Sequence, residues 1–164
     1  MTTYYTTLDS PVGRLLLTSD GKALTRMHFN SDGNAQPEPD WVRDDTGAPL
    51  ADAVRQLGEF FAGNRTQFDL PLAAEGTEFQ RRVWDELRAI PYGETISYAE
   101  LAQRIGNPKA SRAVGMANSR NPIGIIVPCH RVIGANGSLT GFAGGLGNKR
   151  RLLELEQKRT GLGI

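Results

Sequence analysis

A single cysteine, Cys129, stands among 164 residues. It excludes an intrachain disulfide and a zinc site built on several thiolates, so the fold must be held by an apolar core alone. His28 and His130 are the only histidines, and no ligand spacing around them reads as a metal centre. The hydrophobic fraction of 39 % and charged fraction of 23 % are ordinary for a globular chain. The length suffices for one domain or two small ones. The longest apolar runs are too short for a membrane span. The N-terminus, Met1-Thr2-Thr3-Tyr4-Tyr5, lacks the basic-then-apolar order of a secretory signal. A lone thiol suits a reducing cytoplasm, so a cytoplasmic protein free of membranes is expected.

The net charge of +1 conceals an asymmetry. Residues 1–75 carry 6 Lys/Arg against 11 Asp/Glu, and residues 76–164 carry 13 against 7. The first part is thus −5 and the second +6, so the second is the candidate for an anionic partner such as nucleic acid. Unevenly distributed solvated charge is the bland alternative. Ala73–Gly76 marks the expected boundary, giving domains over 1–75 and 76–164.

The first part reads as a small antiparallel sheet followed by a helix. Strand candidates are Tyr4–Leu8, Val12–Ser19 and Ala23–Phe29, with Asp20-Gly21 as a hairpin turn signal. Residues 30–48, rich in Pro, Gly, Asp and Asn, read as a loop. Leu50, Val54, Leu57 and Phe61 share one helical face, which predicts a helix over 50–62. Phe68–Leu72 reads as a short extended piece.

The second part reads as mainly helical. Thr77 and Gln80 form a capping-box pattern ahead of the stripe Phe79, Val83, Trp84 and Leu87. Pro91-Tyr92-Gly93 ends that helix. Ser97 caps a short helix to Ile105, Gly106-Asn107-Pro108 makes a tight turn, and a second helix runs from 109 to 118. Two short helices across such a turn match a helix-turn-helix over 97–118, with a purely structural helical hairpin as the even alternative. The second helix is poor in bulk: Ala110, Ser111, Ala113, Gly115 and Ala117 are small, and Arg112 is the one long cation among them. Such a helix can pack closely on a neighbour or enter the narrow minor groove of DNA. A last helix is predicted over 148–158, anchored by Leu152, Leu153 and Leu155. Lys149, Arg150 and Arg151 lie near its start, where cations oppose the helix dipole. A solvated charge run is the commoner explanation of them.

The segment 121–134 carries the chemistry. An apolar run leads through Pro128 to Cys129, and His130 follows. A thiolate is a strong nucleophile whose population must be raised by a nearby base, cation or helix terminus. Adjacent residues in extended chain point opposite ways, so a water bridging Cys129 and His130 is one route for the proton. A third group must orient the imidazole, and Glu154 and Glu156 are both candidates. An inert buried thiol and a structural histidine are the bland alternatives.

Ile126-Val127-Pro128-Cys129-His130-Arg131-Val132-Ile133 closely resembles the active-site signature of the O6-alkylguanine-DNA alkyltransferases, the methylated-DNA–protein-cysteine methyltransferases. Matching pieces extend over about residues 76–158. They are Phe79-Gln80 with Val83-Trp84, Ile90-Pro91-Tyr92-Gly93-Glu94-Thr95, Ser97-Tyr98, and Gly106 through Gly115. Asn121-Pro122, Thr140 through Gly145, and Leu152-Leu153-Glu154-Leu155-Glu156 complete them.

The resemblance implies an α+β fold. A small antiparallel, ribonuclease H-like sheet with a helix precedes a mainly helical winged helix-turn-helix domain carrying the active site. It implies direct-reversal DNA repair: Cys129 takes the alkyl group from O6-alkylguanine, and also from O4-alkylthymine, once and irreversibly. The base must be flipped from the duplex, since the alkylated oxygen is otherwise enclosed. By the same resemblance His130 is the base acting through water and Glu156 orients it. Tyr98 donates a proton or hydrogen bond to the leaving guanine, and Asn121 fixes the hinge. Arg112 is the arginine finger, and Ala110, Ser111, Ala113, Gly115 and Ala117 face DNA. Val132, Phe142 and Ala143 line the base pocket. Phe142-Ala143 departs from the Tyr followed by Ser or Gly of several members, which leaves the preferred alkyl size open. The cysteines of the zinc-binding members are lacking, so neither zinc nor any cofactor is expected. The expected partner is double-stranded DNA with alkylated guanine, bound by a monomer, with cooperative loading left open. A DNA-binding module without chemistry and a turning-over Cys-His-Glu hydrolase are the competing classes.

Overall fold

The structure is a computed structural model that describes residues 2–30, 36–140, 142 and 144–160. The chain divides into two compact units, Met1–Glu75 and Gly76–Ile164.

In the first unit, β1 (Tyr4–Ser10), β2 (Gly13–Ser19) and β3 (Leu24–Phe29) form an antiparallel meander. The β1–β2 turn is only Pro11-Val12, because Ser10 pairs with Gly13. At the second turn, Asp20 Oδ1 accepts from the Lys22 and Ala23 amides, and Gly21 takes a φ of +97° that a side chain would resist. The segment 30–48, expected to be loop, contains β4 (Val42–Arg43), which runs parallel to β1. The sheet is therefore mixed, in the order β3-β2-β1-β4. A two-residue strand is too short to leave a period-two signal in the sequence.

Leu15, Leu16 and Leu17 in central β2 are all buried, so both faces of that strand are covered. Helix α1 (Leu50–Phe61) packs on β1 and β2. It buries Leu50, Ala53, Gln56, Leu57 and Phe60, a face rotated from the expected one, which leaves Val54 and Phe61 half-buried. Gln56 is buried because its amide pairs with backbone: Nε2 donates to Asp69 O at 3.0 Å and Oε1 accepts from Asp69 N at 2.8 Å. The extended piece that follows lies along β3, with Leu24 N bonded to Pro71 O and Ala73 N to Leu24 O, both 2.8 Å.

In the second unit, α2 (Glu78–Leu87) starts on the reciprocal Thr77–Gln80 capping box. Helix α3 (Tyr98–Arg104) is capped by Ser97 Oγ, and α4 (Ser111–Ser119) follows the turn at Gly106, where φ is +82°. Val83, Trp84 and Leu87 of α2 meet the inner face of α4, and Trp84 Nε1 donates to Ala117 O at 2.8 Å. Two strands unforeseen in the mainly helical part, β5 (Ile96–Ser97) and β6 (Val132–Ile133), pair in parallel and join the start of α3 to the residues after Cys129. Helix α5 (Leu146–Thr160) begins earlier than expected and buries Leu152 and Leu153, while Leu155 is half-buried.

Candidate active site

The chain reaches Cys129 through a run of tight turns. Asn121 holds the run from both ends: Nδ2 donates to Val127 O at 2.8 Å, and Oδ1 accepts from Ile123 N at 3.0 Å. Inside it, Ile126 N donates to Gly124 O across Ile125, whose φ is +69°. This γ-turn places a β-branched residue in left-handed backbone, a conformation of real steric cost. Ile125 is nevertheless buried. At Pro128 (φ −82°, ψ 64°) the chain makes an inverse γ-turn, with Cys129 N bonded to Val127 O at 2.8 Å. A 3-10 turn over Cys129–Arg131 follows, so the cysteine and histidine are not in extended chain.

Glu156 of α5 collects this segment. His130 Nε2 lies 2.6 Å from its Oε2. Arg131 donates from Nε to Oε1 at 2.9 Å and from Nη2 to Oε2 at 3.0 Å. Gly93 N also reaches Oε1, at 3.1 Å. Arg131 Nη1 donates to Ile90 O at 2.7 Å. Of the two carboxylates that the sequence left open, Glu156 is buried in this network and Glu154 is exposed. Burial alone would raise the Glu156 carboxyl, but His130 and Arg131 outweigh it and hold it down to about 2. Burial lowers the His130 imidazole despite Glu156. The consistent state is an ionised Glu156, paired to Arg131, accepting from the Nε2–H of a neutral His130. That leaves His130 Nδ1 as an acceptor, and it is buried without a partner among the described residues.

The Cys129 thiol is 6 % exposed, and burial pushes it up to about 11, against the opposing pull of Asn121 and Lys149. The expected raised thiolate population is thus not a property of the resting site. The proton must leave as the sulfur attacks, which is a task for a general base.

Lys149 is the residue that sequence reasoning missed. It is fully buried, with Nζ donating to Val132 O at 2.6 Å and to Thr140 O at 2.8 Å. Burial lowers its ammonium, and Cys129 pulls the other way. The signal was present: Lys149, Leu152, Leu153 and Glu156 stand at i, i+3, i+4 and i+7, the buried stripe of α5. Lys149 therefore leaves the solvated charge run, which consists of exposed Arg150 and Arg151. Tyr98 joins the same knot, donating to Thr140 O at 3.0 Å, and its ring lies beside Gly115. Val132 is buried in β6 and Phe142 is half-buried, while Ala143 lies outside the described residues.

On α4, Arg112 and Ala113 are exposed, and Ala110, Ser111 and Gly115 are half-buried. Ala117 is not on the outer face: it is 2 % exposed, and its carbonyl is bound by Trp84. Its small size serves close packing on α2, which corrects its expected place among DNA-facing residues. Ala110 caps α4 without a side-chain hydrogen bond, leaving the first N–H groups uncapped by side chains. Among the described residues, no group of acidic, His or Cys side chains is arranged to hold a metal. No described helix is long and apolar enough to cross a membrane.

Residues 3–74 match the ribonuclease-like domain of 6-O-methylguanine DNA methyltransferase, and residues 78–158 match its DNA-binding domain. A methylated-DNA–protein-cysteine methyltransferase of Methanosarcina acetivorans is 54 % identical over 154 residues, covering 93 % of this chain and 97 % of its own length. The Mycobacterium tuberculosis protein of the same name is 53 % identical over 156 residues, covering 95 % and 93 %. The crystal structure of M. tuberculosis O6-methylguanine methyltransferase superimposes with a TM-score of 0.86 at 51 % identity, over 96 % of this chain and 94 % of that one. The structure of M. tuberculosis OGT in complex with DNA gives the same TM-score over 95 % and 94 %. With both of its halves matched in order and relatives above half identity along nearly its whole length, the chain belongs to the methylated-DNA–protein-cysteine methyltransferase family.

Proposed function

We propose that the protein repairs DNA by moving the alkyl group of O6-alkylguanine, and of O4-alkylthymine, onto Cys129 in a single irreversible event. The observation that carries this reading is the Glu156–His130 hydrogen bond of 2.6 Å, which leaves His130 Nδ1 as a buried acceptor one residue from a buried thiol. That is the arrangement a protonated nucleophile needs: a base that receives the proton as sulfur attacks, and a carboxylate that stabilises the resulting imidazolium. The thioether so formed is a poor leaving group, and no cofactor motif offers a way to reverse it. One protein molecule therefore repairs one base.

Helix α4 is the element for the minor groove. Its outer side presents Arg112, Ala113 and the exposed Met116, and its uncapped N–H groups suit a phosphate oxygen. Arg112 fills the stack when the base swings out. Tyr98, at the head of α3, meets the leaving guanine and protonates it or hydrogen-bonds to it. Asn121 keeps the turn that leads to Cys129 closed. Val132 and Phe142 frame the base. The unit that acts is a monomer on double-stranded DNA in the cytoplasm.

The test is intact-protein mass spectrometry after mixing with a duplex oligonucleotide containing O6-methylguanine. One methyl adduct on Cys129 and one equivalent of repaired guanine are expected. Binding without an adduct would instead indicate a recognition module, and repair beyond one equivalent without an adduct a hydrolase. Cys129→Ser should bind the duplex and transfer nothing.

A further inference from the structure

Two buried side-chain atoms among the described residues lack any hydrogen-bond partner: His130 Nδ1 and Asn118 Oδ1. Both adjoin Cys129. His130 is its neighbour in the chain, and Asn118, fully buried near the end of α4, donates from Nδ2 to the Cys129 carbonyl at 3.3 Å. Sequence reasoning gave Asn118 no role beyond ending a helix, although it shares the buried face of α4 with Val114 and Ala117.

We propose that Asn118 is a positioning residue of the transfer: with His130 it holds one buried water that receives the Cys129 proton. Both orphan atoms are acceptors: Asn118 Oδ1 is a carbonyl oxygen, and His130 has committed its N–H to Glu156, which leaves Nδ1 a lone pair. A buried acceptor left without a donor is costly, and polar sites of this kind are where proteins keep internal waters. A single water satisfies both acceptors with its two hydrogens and keeps a lone pair for the Cys129 S–H. Asn118 then orients the water by one hydrogen bond and fixes the cysteine backbone by the other.

The proton balance closes. As the S–C bond forms and the C–O6 bond breaks, the thiol proton passes to the water, which hands one of its own to His130 Nδ1. The remaining hydrogen stays on Asn118 Oδ1. The bond pair leaves with guanine, which takes a proton from Tyr98 or solvent; the imidazolium then releases its proton to solvent, from which a deprotonated Tyr98 regains its own.

The inference rests on Cys129 being the alkyl acceptor, so wild-type protein serves as the control: absence of its methyl adduct would sink that reading rather than this one. The experiment compares Asn118→Leu, Asn118→Ala and Asn118→Ser in the full chain, in single-turnover transfer from the methylated duplex. Leu and Ala should slow transfer about tenfold or more, since general-base steps are worth at least that much. They should leave duplex affinity within about twofold and change the solvent deuterium isotope effect on the rate. Ser restores an acceptor and should recover most of what Ala loses. A crystal structure should place an ordered water in hydrogen-bond range of both Asn118 Oδ1 and His130 Nδ1. Equal rates for Ala and Ser, a wild-type rate for Leu, or a dry gap between the two atoms would each overturn the proposal. A packing defect alone would lower the thermal midpoint and leave the isotope effect unchanged.

Discussion

Arg131 grips Glu156 side-on, Nε to Oε1 and Nη2 to Oε2, at 2.9 and 3.0 Å, with both groups buried. A bidentate pair of this kind fixes orientation as well as charge. Together with His130, it keeps the carboxylate ionised where burial alone would protonate it. The arginine beside the histidine is therefore part of the histidine's support.

That pairing has a pH signature. Glu156 titrates at about 2 in the folded protein against an ordinary value of 4.5. Its contribution to stability is complete above the unfolded value and is lost as pH falls through the interval from 4.5 to 2. The shift corresponds to about 3 kcal/mol. Glu156→Gln leaves Arg131 buried and unpaired and should cost about 3–5 kcal/mol at neutral pH. Urea unfolding between pH 7 and 2 checks both statements: the variant should be weaker at pH 7, flatter below pH 5 and close to wild type near pH 2. An unchanged slope would exclude Glu156 as the source.

Lys149→Met keeps the apolar stem and removes the ammonium from the Val132 and Thr140 carbonyls. The buried Val132 carbonyl loses this donor at a cost of about 1–3 kcal/mol, while the Thr140 carbonyl keeps the Tyr98 hydroxyl. The variant should unfold at lower temperature and methylate Cys129 more slowly, because the loss of positive charge near the sulfur raises the thiol further. Iodoacetamide labelling of Cys129 across pH 7–10 isolates the second effect. Identical labelling rates in variant and wild type would confine Lys149 to a structural role.

Arg112→Ala removes the long cation from the outer face of α4 without touching its buried face. Repair of duplex should slow more than reaction with free O6-methylguanine base, and equal slowing would remove Arg112 from the flipping step. Duplex affinity should fall as salt rises, because phosphate contacts release counterions.

Trp84→Phe keeps the ring on α4 and deletes the indole donor to the buried Ala117 carbonyl, which retains Arg120 N at 3.2 Å. A loss of about 0.5–1.5 kcal/mol is expected by chemical denaturation, the net worth of one hydrogen bond. No change would mean that the indole N–H adds nothing beyond the packing of the ring.

The legible parts of the fold were those written in short-range chemistry. The Thr77–Gln80 box, the Asp20-Gly21 turn and the Gly106 turn each depend on residues a few positions apart, and all stand where the residues place them. What was illegible depends on pairing at a distance. Strands β4, β5 and β6 are two residues each and exist only through their parallel partners. Glu156 could not be separated from Glu154 by spacing, since only the buried face of α5 decides between them. Lys149 misled for a related reason: a cation beside two arginines reads as surface, and only the carbonyls of Val132 and Thr140 make its burial tolerable.

Ile125 narrows how this site can vary. Its left-handed backbone costs about 1–3 kcal/mol, and its buried side chain supplies the apolar anchor that keeps the turn shut. Glycine would relax the torsion and surrender the anchor, alanine would do neither well, and a larger side chain would have to displace a packed core. Few residue types meet both demands, so sequence drift at position 125 is hemmed in from two sides, and the route of the chain into Cys129 is hemmed in with it.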